Sequence, residues 1–397
     1  MPWWSSQASR TSSTTSIRRR SGSRRASTRW TAIDRRTLLT GAGAALALGL
    51  APRQAAALAA SDLVFLAPCR NAAGSYAILV FTESGEPVRE VALPSRGHDV
   101  VLDQAGRQAV AFARRPGTFA IGFDVAGARS PASFACPPDR HFYGHGAFAP
   151  DGRLLYSTES DYAHGARGVV GVYDCTDGFR RIGELDSHGI GPHELILMPD
   201  GRTLAIANGG IATHPATGRE KLNLDTMRSS ISFVDRLTGD LLARHETPAE
   251  FGRLSMRHMT VDGSEFVWFG GQWEGSPVDV PSVIGRASLD SAVELLPSGP
   301  ELPLALEGYI GSMARSRDGS VIAASSPKGG RILLIDAATM KILSEERLFD
   351  GCGVTGIGNR AFLATSGAGT ILPVASDTGP GRPATFPVAF DNHVKAV

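Results

Sequence analysis

The sequence predicts an all-β fold, a seven-bladed β-propeller, and three observations carry that prediction. A strand–turn–strand unit recurs seven times along the chain. Successive copies start 47, 48, 65, 54, about 40 and about 41 residues apart. Glycine (46) and proline (24) are abundant among the 397 residues, while helix-period stretches are scarce after residue 60. Periods of roughly 40–50 residues, each holding four short strands between tight turns, are what propeller blades require.

The clearest copy is PHELILMPDGRTLAIAN, from Pro192. Others begin at Gly97-His98, Gly144-His145, Arg257-His258, Gly311-Ser312, Cys352-Gly353 and Asn392-His393. Asp-Gly and Thr-Gly pairs separate the strands, as hairpins that tolerate positive φ prefer. The last copy supplies one inner strand, HVKAV. Its three partners are expected at the start of the repeat region, in DLVFLA, YAILVFT and VREVALP. Closing the ring in this way pairs the two ends and removes an exposed sheet edge. A sandwich is the alternative, but its strands do not come in registered sets of four.

The chain divides into three segments. Residues 1–33 are Ser/Thr/Arg-rich and predict a disordered basic extension. Residues 34–59 combine Arg35-Arg36, a weakly apolar Gly/Ala-rich stretch and an A-x-A site ending at Ala59, the pattern of a twin-arginine signal. Residues 60–397 carry the propeller. The expectation is export, already folded, to the periplasm. The apolar stretch of roughly fourteen residues is too short for a membrane anchor, and no later run reaches the ~18–20 residues of a span.

Charge supports the same division. Residues 1–59 hold ten arginines and one aspartate, a net of +9; the whole chain is +1, so residues 60–397 carry 1 − 9 = −8. A mildly acidic domain is a poor match for nucleic acid. Cys69, Cys136, Cys175 and Cys352 stand far apart, without zinc-site spacing, and leave any disulfide connectivity open.

Propeller topology places the start of each inner strand, the loop leading into each blade and the loop between strands two and three on one face. Polar residues concentrate there. The leading loops carry Arg96, Arg140, His141, Tyr143 and His188, and Arg257 begins the fourth inner strand. A polar insertion from Asn208 to Ser230 adds His214, Arg219, Lys221 and Asn223. These residues, Asn208 included, are the candidate ligand-binding set, with Arg140, Arg257, Lys221 and Arg219 suited to a carboxylate or phosphate. The alternative for the arginines is simple pairing with Glu159 or Asp161.

Five inner strands begin with histidine: His98, His145, His193, His258 and His393. A ring of imidazoles at the channel mouth can bind a divalent metal such as iron, zinc or calcium, with Glu194, Asp99, Glu159 or Asp161 orienting the rings. Histidine at such a corner can equally brace neighbouring blades through hydrogen bonds to backbone. Catalysis is a third use, with His193, Glu194 and Arg257 as the acid–base and anion-holding candidates. There is no G-x-S-x-G elbow and no H-E-x-x-H, and Gly-Ile-Gly-Pro is followed by no helix.

The stretches RGHDVVLD, FARRPGTFAIGFD, RHFYGHGAFAPDGRLLYSTESDY, SHGIGPHELILMPDGRTLAIANGGIATHP and KLNLDTMR resemble a bacterial domain-of-unknown-function family of twin-arginine-exported propellers. The resemblance spans about residues 61–397. More distantly the repeat is similar to YVTN/WD40-like and quinoprotein amine dehydrogenase β-chain-like propellers. Members of the family are often encoded beside imelysin-type periplasmic iron-uptake proteins, so the resemblance implies an accessory role in iron uptake and such a protein as partner. Three functional expectations follow. One is a binding module for a small ligand, metal or partner. Another is a lactonase-like or oxidoreductase-type enzyme. The third is a docking scaffold anchored by Trp273, Tyr143 and Tyr162.

Overall fold

The computed structural model describes residues 61–397 apart from Pro116 and Arg219. The basic extension, the twin-arginine segment and its cleavage site lie outside the described residues. Seven antiparallel sheets follow one another, each built in chain order from the channel outward. Blades one to six have the inner strands Gly97–Leu102, Arg140–Phe148, Pro192–Leu197, Leu254–Val261, Ser312–Arg315 and Gly351–Gly356. Consecutive inner strands touch all the way round, and Lys395–Ala396 lies against both Gly351–Gly356 and Gly97–Leu102. The ring is therefore closed.

The seventh blade is split as expected, with one difference. Its inner position is shared by two short strands, Ala389–Phe390 and Lys395–Ala396, which both pair with Val64–Arg70. Tyr76–Thr82 and Pro87–Leu93 complete it. His393 sits in the break between the two short strands rather than at the head of a continuous one.

Burial explains the strand sequences. Second and third strands lie between neighbouring blades on both faces and read as near-continuous small or apolar runs, such as QAVAFA and VIAASS, almost wholly buried. Fourth strands face solvent and alternate, as in PVREVAL and LLARHE. The apolar clusters consequently bridge adjacent blades. Phe65, Phe81, Leu363 and Phe390 join blades six and seven, while Phe233, Trp268, Met313 and Leu333 join blades three to five. At the hairpins, Gly152, Gly201 and Gly319 adopt positive φ of 70°, 67° and 73°. In the second of these turns, Asp200 accepts from the Arg202 and Thr203 amides. Among the described residues no helix is long and apolar enough to cross a membrane.

Candidate metal centre

The inner strands share a local irregularity that places the functional side chains. Strand pairing slips between Gly97 and Val100, Phe142 and Gly146, Pro192 and Glu194, and Met256 and His258. A bulge bends its strand and re-aims a side chain. Here each bulge falls at or beside a histidine of the repeat and turns it inward. Glycine makes room for this. Gly144 has φ of 104°, and a Cβ there would lie 2.6 Å from the His98 ring. In blade six, Gly353 stands where other blades carry histidine, because a Cβ would press on the His393 backbone at 3.0 Å. Blade five contributes Ser312, whose hydroxyl lies 3.5 Å from His393 Nδ1.

The result is a cluster of imidazoles packed inside the channel rather than a ring around its mouth. Of the ten possible pairs among His98, His145, His193, His258 and His393, nine have ring centroids 4.7–6.2 Å apart. Four of the five rings are buried, His145 completely. The ligand atoms of His98, His145 and His393 lie within 4.8 Å of one another, as do those of His145, His193 and His258, and those of Asp99, His145 and Glu194. His145 belongs to all three sets.

The hydrogen bonds bear on both bracing and binding. Among the described residues three of these five imidazoles hydrogen-bond to side chains and none to backbone: His145 to Asp99 (3.1 Å), His145 to His98 (3.1 Å) and His393 to Ser312. His98 Nδ1, His193 Nδ1, His258 Nδ1 and His393 Nε2 are buried with no hydrogen-bond partner. Leaving a buried polar atom unpaired costs about 1–3 kcal/mol, which a bracing residue would not incur.

Charge arrangement points the same way. Asp99 accepts from His145 Nδ1, so His145 Nε2 presents its lone pair. Asp391, 3.8 Å from His98 Nδ1, favours the same tautomer in His98. The two Nε2 atoms stand 3.1 Å apart and share a hydrogen bond when one ring carries its proton there; with both protons on Nδ1 the pair presents two lone pairs to a cation. Two nitrogens bound to one ion at 2.0–2.1 Å stand roughly 3.0–3.4 Å apart, which matches that separation.

Burial favours the neutral form of His98, His193, His258 and His393, the form a metal ligand needs. It pushes His98 down to about 3 despite Asp391, and His258 down to about 4 despite Glu194. His193 and His393 are driven well below the usual histidine value by burial and then by neighbouring rings. Beneath the rings, burial alone would raise the Asp99 and Glu194 carboxyls. Lys395 and His145 outweigh it for Asp99, as His145 and His258 do for Glu194, and both are held below their ordinary values. Glu194 lies 3.3 Å from His258 Nδ1 and accepts from the Met259 amide, while Lys395 lies 3.6 Å from Asp99.

Residues 91–397 match a family described as protein of unknown function (DUF1513). The chain belongs to this family. No curated protein matches it. Among solved structures, it is similar to the hydrazine synthase of Kuenenia stuttgartiensis, at 13% identity with a TM-score of 0.54, over 73% of this chain and 86% of that one. It is also similar to the Cps50 (Swd1) β-propeller domain of Myceliophteria thermophila, at 10% identity with a TM-score of 0.53, over 77% of this chain and 89% of that one. At such identities the likeness is one of fold.

Within this DUF1513 propeller, the other sequence-level candidates fall into separate places. Arg257 and Tyr143 line a cavity beside His98 and His193. Arg140 is elsewhere, in an ion network with Glu184 (2.5 Å), Glu159 and Asp161. Glu159 and Asp161 therefore serve that network and not the histidines. Arg96 holds Asp391 at 2.5 Å. His141 is buried and donates to its neighbour's carbonyl, Phe142 O. His188 donates to Gly239 O, and Asn208 is buried and donates to Ser187 O and Ser232 Oγ. Asn223 pins the insertion by accepting from the Ala212 amide and donating to Gly210 O, and His214 accepts from the Ala216 amide. Lys221 pairs with Glu274. His188, His214 and Asn223 are struts, with side chains committed to the fold; Asn208 is tied through its amide nitrogen, while its Oδ1 is buried without a hydrogen-bond partner.

Two further expectations change. Glu194 faces His145 and His258 and does not line the cavity that Arg257 and His193 share, so the proposed catalytic trio does not converge on one space. Tyr143 is only 3% exposed, which removes it as a docking anchor. Asp391, Lys395, Arg114, Arg115 and Tyr309 were not among the sequence-level candidates. The signal for Asp391 was available in Asp391-Asn392-His393, and that for the arginine pair in its strand two-to-three loop. All four cysteines are free thiols in the structure.

Proposed function

We propose that this propeller is a metal-binding protein that holds one divalent transition-metal ion among the five channel histidines. The observation that supports it is the cluster itself: buried, neutral imidazoles with unpaired nitrogens and no backbone bracing. His145 is the shared ligand, His98 and His393 or His193 and His258 complete its set, and Asp99 orients it. Imidazole donors suit iron(II), zinc, copper or nickel. Calcium requires six to eight oxygen ligands and is not part of the proposal. When bound, such an ion supplies a Lewis-acidic positive charge at the centre of the channel.

The finer reading places the protein in the periplasm after twin-arginine export, where it serves iron uptake beside an imelysin-type partner. Its support is the N-terminal pattern and the family resemblance. Fractionation of cells expressing the chain with Arg35→Lys and Arg36→Lys tests the address: the double variant is expected to remain in the cytoplasm. Co-purification of an imelysin-type protein with the wild type tests the partner.

The metal itself is tested on protein purified without a histidine tag and stripped with a chelator. Titration with iron(II) and zinc, read by calorimetry and thermal unfolding, is expected to show one site and a rise in Tm. His145→Ala is expected to lose both. Equal metal affinity in wild type and His145→Ala contradicts the assignment.

A further inference from the structure

Beside the histidines lies a second feature, of different chemistry. A cavity of about 60 Å³ is lined by Arg114, Arg115, Tyr143, Arg257 and Tyr309, with His98 and His193 at its inner wall. Three cations line it and no carboxylate does. The two nearest counter-ions lie behind the wall, and each is shared with another cation. Asp391 binds Arg96 as well as Arg114, both at 2.5 Å, and Glu274 binds Lys221 as well as Arg257. Arg115 makes no ion pair among the described residues; its guanidinium lies 5.8 Å from the Tyr143 ring centroid.

Uncompensated cations in a confined space call for an anion, because a buried charge without a partner is strongly destabilising. The donors here are unspent. Tyr143 Oη is buried without a hydrogen-bond partner, and so is Arg257 Nε. Tyr309 Oη accepts from Asn392 Nδ2 at 3.0 Å, which leaves its own O–H to donate elsewhere. Guanidinium and phenol donors converging on one small space match the oxygens of a carboxylate or phosphate.

We propose that this cavity is a binding site for a small oxyanion, a carboxylate or phosphate group, held by Arg114, Arg115 and Arg257 with Tyr143 and Tyr309 as hydroxyl donors. The five polar residues come from blades one, two and four and the segment leading into blade five, so the site exists only in the closed ring. It is independent of the metal assignment. His98 and His193 border both sites, so occupancy of one is expected to change the affinity of the other.

Chelator-stripped protein makes the test separate from the metal reading. Inorganic phosphate and malonate are titrated at constant ionic strength against chloride, by calorimetry and thermal unfolding. Saturable binding of either oxyanion supports the site. Phosphate alone would indicate a phosphorylated ligand, and malonate alone a carboxylate. Arg115→Gln, which removes the unpaired cation, is expected to weaken binding at least tenfold while its anion-free Tm stays the same or rises. Tyr143→Phe removes one hydroxyl, is expected to weaken binding several-fold, and serves as the second variant should Arg115→Gln fail to fold. No binding beyond chloride by the wild type, or wild-type affinity in the folded arginine and tyrosine variants, overturns the proposal.

Discussion

Two buried polar clusters stand in this propeller, and they differ in how far they satisfy themselves. In blade two, Glu159 is fully buried, yet both of its carboxylate oxygens are taken. Ser157 and Tyr173 donate to one at 3.1 and 2.7 Å, and Arg140 and Arg181 to the other. Glu184 gathers Arg140, Arg167 and Arg181 at 2.5–2.9 Å. In the channel, by contrast, four imidazole nitrogens have no hydrogen-bond partner, although Asp391 and Glu194 lie 3.8 and 3.3 Å from two of them, and a phenol hydroxyl beside them has none either. A nearly closed network is a structural device: here the charges are compensated from within, and of its members only Arg181 Nε is buried without a hydrogen-bond partner. An open one incurs a cost on folding that a ligand removes. The contrast fits an architectural role for the first cluster and the proposed binding role for the second.

The sharpest way to break this contrast is to remove the carboxylate at the centre of each cluster. Glu159→Ala strands Arg140, Arg181 and Tyr173, and is expected to destabilise the protein by about 3–5 kcal/mol in denaturant unfolding while metal affinity stays unchanged. Asp99→Asn is expected to do the reverse. It should weaken metal binding by about 10–100-fold through loss of His145 orientation, with a small effect on metal-free stability. If both substitutions act mainly on stability, the two clusters are alike and the distinction fails.

Geometry offers a second test, of intermediate size. Gly144→Ala adds a methyl at φ of 104° and against His98. The expected cost is about 1–3 kcal/mol, accompanied by weaker metal binding if the His98–His393 pair completes the proposed ligand set. Stability loss with wild-type metal affinity would place His98 outside the metal site.

The smallest effect concerns acid. The hydrogen bond from Arg140 holds the Glu184 carboxyl down to about 2, assisted by Arg167 and Arg181 and opposed by burial. A folded-state pKa below the unfolded value of about 4.3 means that the stabilisation is complete above that value. It is lost as pH falls from there through about 2. Glu184→Gln is therefore expected to flatten the decline of Tm across that acid window and leave metal binding at neutral pH unaltered.

Much of the fold was readable in the sequence because a blade is a local unit. The strand pairs, Asp-Gly turns and period define seven blades, and the orphan last copy implies the split closure that Lys395–Ala396 makes with Val64–Arg70. The five histidines were readable for the same reason, through their common register. Their depth was not. Register places a residue along a strand, but the bulges at Gly97–Val100 and Phe142–Gly146 turn the rings inward, and bulges leave little trace in composition. Long-range pairing was likewise hidden: Asp391 meets Arg96 and Arg114 across nearly the whole chain. Loop polarity misled in the opposite direction. Asn208, His188 and Asn223 appear available in the sequence, yet each is consumed by backbone groups of the loops it supports. Arg114 and Arg115 were overlooked because their loop is short, although it opens on the same face as the insertion.

The central claim is that His145 and one neighbouring pair of channel histidines hold one ion, and anomalous diffraction tests it most directly. Crystals of untagged protein loaded with iron(II) or zinc are measured on both sides of the metal's absorption edge. The account predicts a single strong anomalous peak within ligand distance of His145, flanked by rings of the His98–His393 or His193–His258 pair. A peak only at surface sites, or none in the channel at full loading, would contradict it.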